Sequence, residues 1–322
     1  MRRPIGIAVG AVAVVSLLGG CSDHATSEAR RPESPAPATT AETGTTTPGG
    51  VAPDGSASIT NQRGPSAPPT QDEARAAWLE GVGLFGKGDY AGASSWLQVA
   101  AAGRPDQPYG QYLLGIALWK SGNLEGARSA LERASTLDPK SLRAFVNLAR
   151  VRLESGENQG ALDAADSAIA IDPSSADALH QRGRALLGLG RGDDALEALT
   201  KARQADPENG SIANTLGYLL ILKGRPEEAL PFLEAARDKL PNVAYVRNNL
   251  GVVYERLGRK TEALLEYRAA VGAGDPDGKA NASLARLEPL VHGTATAQGG
   301  PDGGEGTPVA QDVSAAETGT TH

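Results

Sequence analysis

Alanine stands at 93, 127, 161, 195, 229 and 263, a step of 34 residues with no insertion or deletion. A second alanine column follows seven residues later, at 100, 134, 168, 202, 236 and 270. Five residues before the first column lie Gly88, Gly122, Gly156, Gly190, Gly224 and Gly258. Twelve before it lie Gly81, Gly115, Ala149, Gly183, Gly217 and Gly251, and twelve after it Pro105, Pro139, Pro173, Pro207 and Pro241, with Asp275 and a displaced Pro276 in the last copy. Leu97, Leu131, Leu199, Leu233 and Tyr267 fill the column between the alanines, where only Ala165 is small. Six in-phase copies of one unit mean a stack, because a unit of this size cannot bury its apolar face alone.

Each column has a physical reason. Small residues let neighbouring helix backbones approach closely. The second glycine column ends one helix in the left-handed conformation that a tight turn requires. Proline closes the second helix or opens the next. The unit is therefore helix, turn, helix, turn, as in Gln111–Lys120 followed by Leu124–Leu137.

These columns resemble the tetratricopeptide repeat (TPR), with a small residue at position 8, Ala at 20 and 27, and Pro at 32. The copies are 74–107, 108–141, 142–175, 176–209, 210–243 and 244–277. The family's tryptophan at position 4 is mostly missing, with Trp78 one place off, and Glu80 replaces a leucine in the first copy. The resemblance implies an all-α, right-handed superhelix (an α-solenoid) of six helix pairs. Ala280, Leu284, Leu287 and Leu290 fall at helical spacing and predict a capping helix over 278–291, limited by Pro289. The folded domain is expected over 73–291.

The ends differ in composition. Arg2 and Arg3 precede an apolar run from Ile5 to Leu18, the layout of a signal peptide over 1–20 and too short for a comfortable span. Leu18-Gly19-Gly20-Cys21 resembles the lipobox of bacterial lipoproteins, which implies lipid attachment (palmitate among the acyl chains) at Cys21, the chain's single cysteine. Ser22 follows it where an aspartate would signal inner-membrane retention. The expected location is the cell envelope: the periplasmic face of the outer membrane if the organism has one, otherwise the outer face of the cytoplasmic membrane. Residues 21–72 are rich in Pro, Thr and Ser and read as a disordered linker, and 292–322 as a disordered tail. Such a linker either lets a tethered domain search the surface nearby or only holds it clear of the lipid.

In the family, positions 2, 5, 6, 9, 12 and 13 of each first helix face a concave groove. Here they supply Trp78, Phe85, Tyr109, Tyr112 and Trp119 in the first two copies. The middle copies supply Arg143, Asn147, Arg150, His180 and Arg184. The last two supply Asn214, Tyr218, Tyr245, Asn248 and Asn249, with Arg256 at the rim. Aromatics and Arg dominate interface hot spots, and Asn can pair with an extended backbone. We expect a groove for a partner segment, extended or helical, apolar at one end and anionic near the arginines. The alternative is that these aromatics pack between neighbouring first helices.

The remaining chemistry is sparse. A net charge of −7 without a basic run argues against nucleic acid. One cysteine excludes internal disulfides and Cys-rich metal sites. Gly81–Gly86 spells GxGxxG, but inside a first helix rather than between strand and helix, so no dinucleotide cofactor is implied. His24, His180, His292 and His322 lie far apart, and the recurring acids Glu157, Asp193, Asp194, Glu227, Glu228 and Glu262 suit helix starts. No catalytic set can be assembled and no metal or cofactor is expected. The reading is a non-enzymatic, membrane-anchored scaffold that binds envelope proteins. Its architecture is similar to pilotin-type and Tad/Flp pilus-assembly lipoproteins. The alternative is an adaptor or regulator of cell-wall hydrolases or polysaccharide export enzymes.

Overall fold

A computed structural model of the chain describes residues 68–297, with side chains to 291. The predicted signal peptide, Cys21, nearly all of the linker and most of the tail lie outside the described residues. Thirteen α-helices and no strand are found among the described residues. They divide into two compact units at Arg225/Pro226.

The first unit holds α1 (Gln71–Gly86), α2 (Tyr90–Gly103), α3 (Pro108–Lys120), α4 (Leu124–Leu137), α5 (Leu142–Glu154), α6 (Asn158–Ile171), α7 (Ala176–Gly188), α8 (Gly192–Ala205) and α9 (Gly210–Leu222). α1, α3, α5 and α7 each pack on the second helix of their own copy, and α3, α5, α7 and α9 on that of the copy before. The alanine columns sit at these contacts: Ala93, Ala127, Ala161 and Ala195 are fully buried. The position-8 glycines are needed for the close approach. A side-chain carbon on Gly183 would come within 2.5 Å of the Leu199 side chain. The turn after α3 shows the other glycine role. Gly122 has φ +89°, its N–H bonds the Trp119 carbonyl at 3.0 Å, and the Asn123 N–H bonds the Leu118 carbonyl at 2.8 Å. Asn123 then opens α4 by accepting from the Gly126 N–H at 2.9 Å.

Two expected starts move outward. α3 begins at Pro108, three residues before Gln111, because proline at the first helical position has a helical φ and no N–H to leave unpaired. α1 begins at Gln71, inside the stretch read as linker. Thr70 accepts from the Glu73 N–H at 3.3 Å while Glu73 accepts from the Thr70 N–H at 2.6 Å, a reciprocal cap.

The second unit holds α10 (Pro226–Lys239), α11 (Ala244–Arg256), α12 (Lys260–Gly272) and α13 (Lys279–Ala297). Ala263, Tyr267 and Ala270 are fully buried. Glu255 on α11 ties the unit together, accepting from Tyr267 Oη at 2.9 Å and from Arg286 of α13 at 2.7 Å. α13 packs on α12, and Ala280 and Leu287 are buried there. It runs through Pro289 and past the expected end at 291 to Ala297, into the stretch read as a disordered tail. The ring's fixed φ is helical, but proline gives no N–H to the carbonyl four residues earlier and its ring crowds that carbonyl. Pro231 is carried inside α10 in the same way.

Candidate functional site

Three first helices of the first unit carry a continuous strip of side chains. The Trp78 ring of α1 meets Tyr109 of α3 edge to face, with centroids 5.9 Å apart. Tyr109 stacks on Tyr112, one helical turn along, at 6.1 Å. Tyr112 Oη accepts from Asn147 Nδ2 of α5 at 3.3 Å, and the same amide donates to the Arg143 carbonyl at 2.9 Å. Arg150 donates to Asn147 Oδ1 at 3.4 Å and lies 5.4 Å from the Trp119 ring. Lys120 Nζ lies 4.6 Å from the centroid of that ring. Tyr109 is 61% exposed, and Arg143, whose charge acts on Tyr112, is exposed too. Trp78, Tyr112, Asn147 and Arg150 are half-buried. Beside Trp78 and Tyr109 opens a cavity of about 120 Å³, lined also by Ala74, Ala101, Arg104 and Gln107.

The electrostatics follow from this placement. Burial raises the Tyr112 phenol above its ordinary value, an effect the neighbouring Arg143 and Arg150 partly offset. The phenol therefore stays protonated at physiological pH. Arg143, Arg150 and Lys120 make the α5 end of the strip cationic.

Not every groove residue joins the strip. Trp119 is buried, and its Nε1–H donates to Glu154 Oε2 at 2.7 Å. Phe85 turns to Tyr90 at the start of α2, edge to face at 5.3 Å. His180, Arg184, Asn214 and Tyr218 are buried among α7 and α9, which corrects their reading as groove-surface residues. α7 packs between α5 and α9 just as α5 packs between α3 and α7, so the enclosure comes from the side chains around these residues and not from the number of flanking helices. Thr215 Oγ1 donates to the Ser211 carbonyl at 2.9 Å, so toward His180, also 2.9 Å away, it can only accept. The imidazole proton thus sits on Nε2. Burial pushes this histidine well below its ordinary value, with Arg184 and then Arg150 adding to the shift. Arg184 donates to Gln181 Oε1 at 2.9 Å. Tyr245, Asn248 and Asn249 lie on α11 in the second unit and are half-buried, and Arg256 is exposed.

The sequence reading missed Glu154, Gln181 and Thr215, the partners of residues it named. The signal was a step of 35 rather than 34. Tyr112–Asn147, Trp119–Glu154 and His180–Thr215 are all 35 residues apart, since a residue on one first helix meets the next position along on the following one. The recurrent acids behave as expected of solvated helix starts, several with a cation: Glu157 with Arg128 at 2.9 Å and Asp193 with Lys223 at 2.5 Å. Among the described residues no helix is long and apolar enough to cross a membrane. No group of three His, Cys, Asp or Glu among them is placed to hold a metal.

Comparisons with known proteins agree with this geometry. One tetratricopeptide repeat family model matches residues 112–176 and 233–278, and a second matches 152–217 and 186–248. The first copy lies outside both, although it folds as the helix pair α1–α2. A thermophilic TPR protein of Thermus thermophilus is 24% identical over 56% of this chain and 98% of its own, with a TM-score of 0.50. MamA from Desulfovibrio magneticus RS-1 is 22% identical over 54% of this chain and 98% of its own, with a TM-score of 0.48. No curated protein matches the chain. These likenesses concern the fold.

Proposed function

Because the chain is a tetratricopeptide repeat protein, we propose that it is a scaffold of the bacterial cell envelope, anchored through Cys21, that holds a partner segment along the strip from Trp78 to Arg150. One observation carries the reading. Tyr109 is 61% exposed between two other aromatic rings and lines a cavity, and the exposed Arg143 acts on Tyr112 next to it. A ring placed for packing alone would be turned inward. The cavity has room for one apolar side chain of the partner, and the cationic end near α5 favours a segment that is acidic further along. Aromatic and Arg groups presented this way are the types that anchor interfaces. The sequence architecture of lipobox, linker and repeats supports a place in pilus or secretion-system assembly.

The test is photocrosslinking in cells from Tyr109, followed by mass spectrometry of the captured protein. Tyr109→Ala with Arg143→Glu should abolish capture by purified protein while the helical signal and melting temperature stay unchanged. Glu125→Lys, at the exposed start of α4, should leave capture intact. Capture that survives the double substitution sinks the strip as the binding site. A pilus or secretin component among the captured proteins supports the assembly role, and a cell-wall hydrolase replaces it with the adaptor role. Separately, Cys21→Ser should move the protein to the soluble fraction, and continued membrane association removes the anchor.

A further inference from the structure

The copies differ most at the face that each turns to the copy before it. In the later copies, positions 3 and 10 of the first helix are closed except at Gly110, which is half-buried. Ala144, Ala178 and Ile212 are fully buried at position 3, and Ala117, Val151 and Ala185 at position 10. In the first copy the same positions are Ala76 and Gly83, both exposed. A side chain built on Gly83 would meet nothing within 4 Å. Position 6, Leu79, is 66% exposed, and position 23, Trp96 on α2, is 39% exposed, where Ala130, Ala164 and Ala198 are buried in later copies. The first copy therefore carries an interface face with nothing against it among the described residues. Terminal repeats ordinarily show a polar outer face, and an apolar one of this kind marks an association site.

We propose that this face pairs with the same face of a second copy of the chain, α1 against α1 in antiparallel order about a two-fold axis. Three observations select this occupant. First, residues 22–67 hold only Val51 and Ile59 as large apolar residues, and 298–322 only Val309 and Val313, so these stretches offer little apolar surface to set against the face. Second, the corresponding columns after the last copy are already taken. Ala280 and Leu287 of α13 fall at positions 3 and 10 of a seventh first helix and are buried, which leaves a head-to-head pairing that closes on itself rather than a growing chain. Third, the charges fit. Asp72, Ala76, Leu79 and Gly83 share one face of α1, and Lys87, the residue that caps its end, continues the same spacing. In antiparallel order, Asp72 faces Lys87 of the second copy, Ala76 faces Gly83, and the two Leu79 side chains meet at the axis. Parallel order would set like charges together. Small residues on either side of Leu79 let the two helices approach closely.

The single native cysteine makes the test clean. In full-length chains carrying Cys21→Ser, Leu79→Cys should give a disulfide-linked dimer on mild oxidation. Ala76→Cys and Gly83→Cys should crosslink to each other when mixed and far less to themselves. Leu265→Cys, equally exposed in the second unit, should stay unlinked. Sedimentation equilibrium of the Cys21→Ser chain should show a dimer that Leu79→Glu converts to monomer, with the melting temperature of the monomer unit retained. A chain that is still monomeric at a concentration on the order of 1 mM, where even a weak dimer forms, overturns the proposal. So does a dimer unaffected by Leu79→Glu, or linkage of Leu265→Cys as efficient as that of Leu79→Cys. These results are independent of the Tyr109 strip, whose substitutions should leave the dimer intact.

Discussion

The Tyr112–Asn147 pair and the His180–Thr215 pair occupy the same two places in the repeat, 35 residues apart in each case. One lies half-buried beside the exposed Tyr109 and Arg143, and the other is sealed inside the protein. The columns that build the scaffold are alike at both places, so they do not set this difference. α5 is flanked by α3 and α7 as α7 is by α5 and α9, so what differs is the set of side chains around each pair. A repeat can therefore use one slot as recognition surface in one copy and as polar core in another.

The first way to test this comparison is to confirm that the scaffold around the two pairs is equivalent. Leu131→Ala and Leu199→Ala, both at fully buried sites, should each cost about 2–5 kcal/mol in urea unfolding. A large inequality would mean that the frames themselves differ. Thr215→Val separates the pairs more sharply. It keeps the shape but leaves the buried His180 Nε2–H without its acceptor, and should cost about 1–3 kcal/mol.

The third test uses pH. His180 is held well below the 6.5 of a free imidazole, so the unfolded chain takes up the proton first. The native state is at full strength above about pH 6.5 and loses stability as pH falls below it toward the folded value. His180→Gln, which can still donate to Thr215, should lose less urea midpoint between pH 7.5 and 5.5 than the parent chain. Equal losses would show that the histidine is not sealed. The smallest effect is expected at the open pair: Asn147→Ala should cost about 0.5–1 kcal/mol or less, while weakening partner capture. A cost as large as that of Thr215→Val would place Asn147 in the core and undo the comparison.

Much of the fold was legible in the residues. The glycine before each second helix has positive φ in all six copies, and the alanine columns are buried where the spacing put them. The helix starts were less legible, because Thr70–Glu73 and Pro108 act through local capping and not through the repeat. The strip was half legible. Tyr109 and Arg143 are exposed and Tyr112 is half-buried. Trp119, His180, Arg184, Asn214 and Tyr218 occupy the same kind of position and are buried. Position within a repeat tells which way a side chain starts out from its helix, and not what its neighbours leave open.

By itself the sequence determined the unit: its length, its two helices, its left-handed glycine turn and the small residues that set helix separation. These are short-range consequences of backbone sterics and of a period that repeats without error. Only the tertiary structure decided which inward residues meet water. Burial is the sum of contacts from neighbouring helices, and it took their packing to leave Tyr109 and Leu79 exposed while closing over His180 and Tyr218.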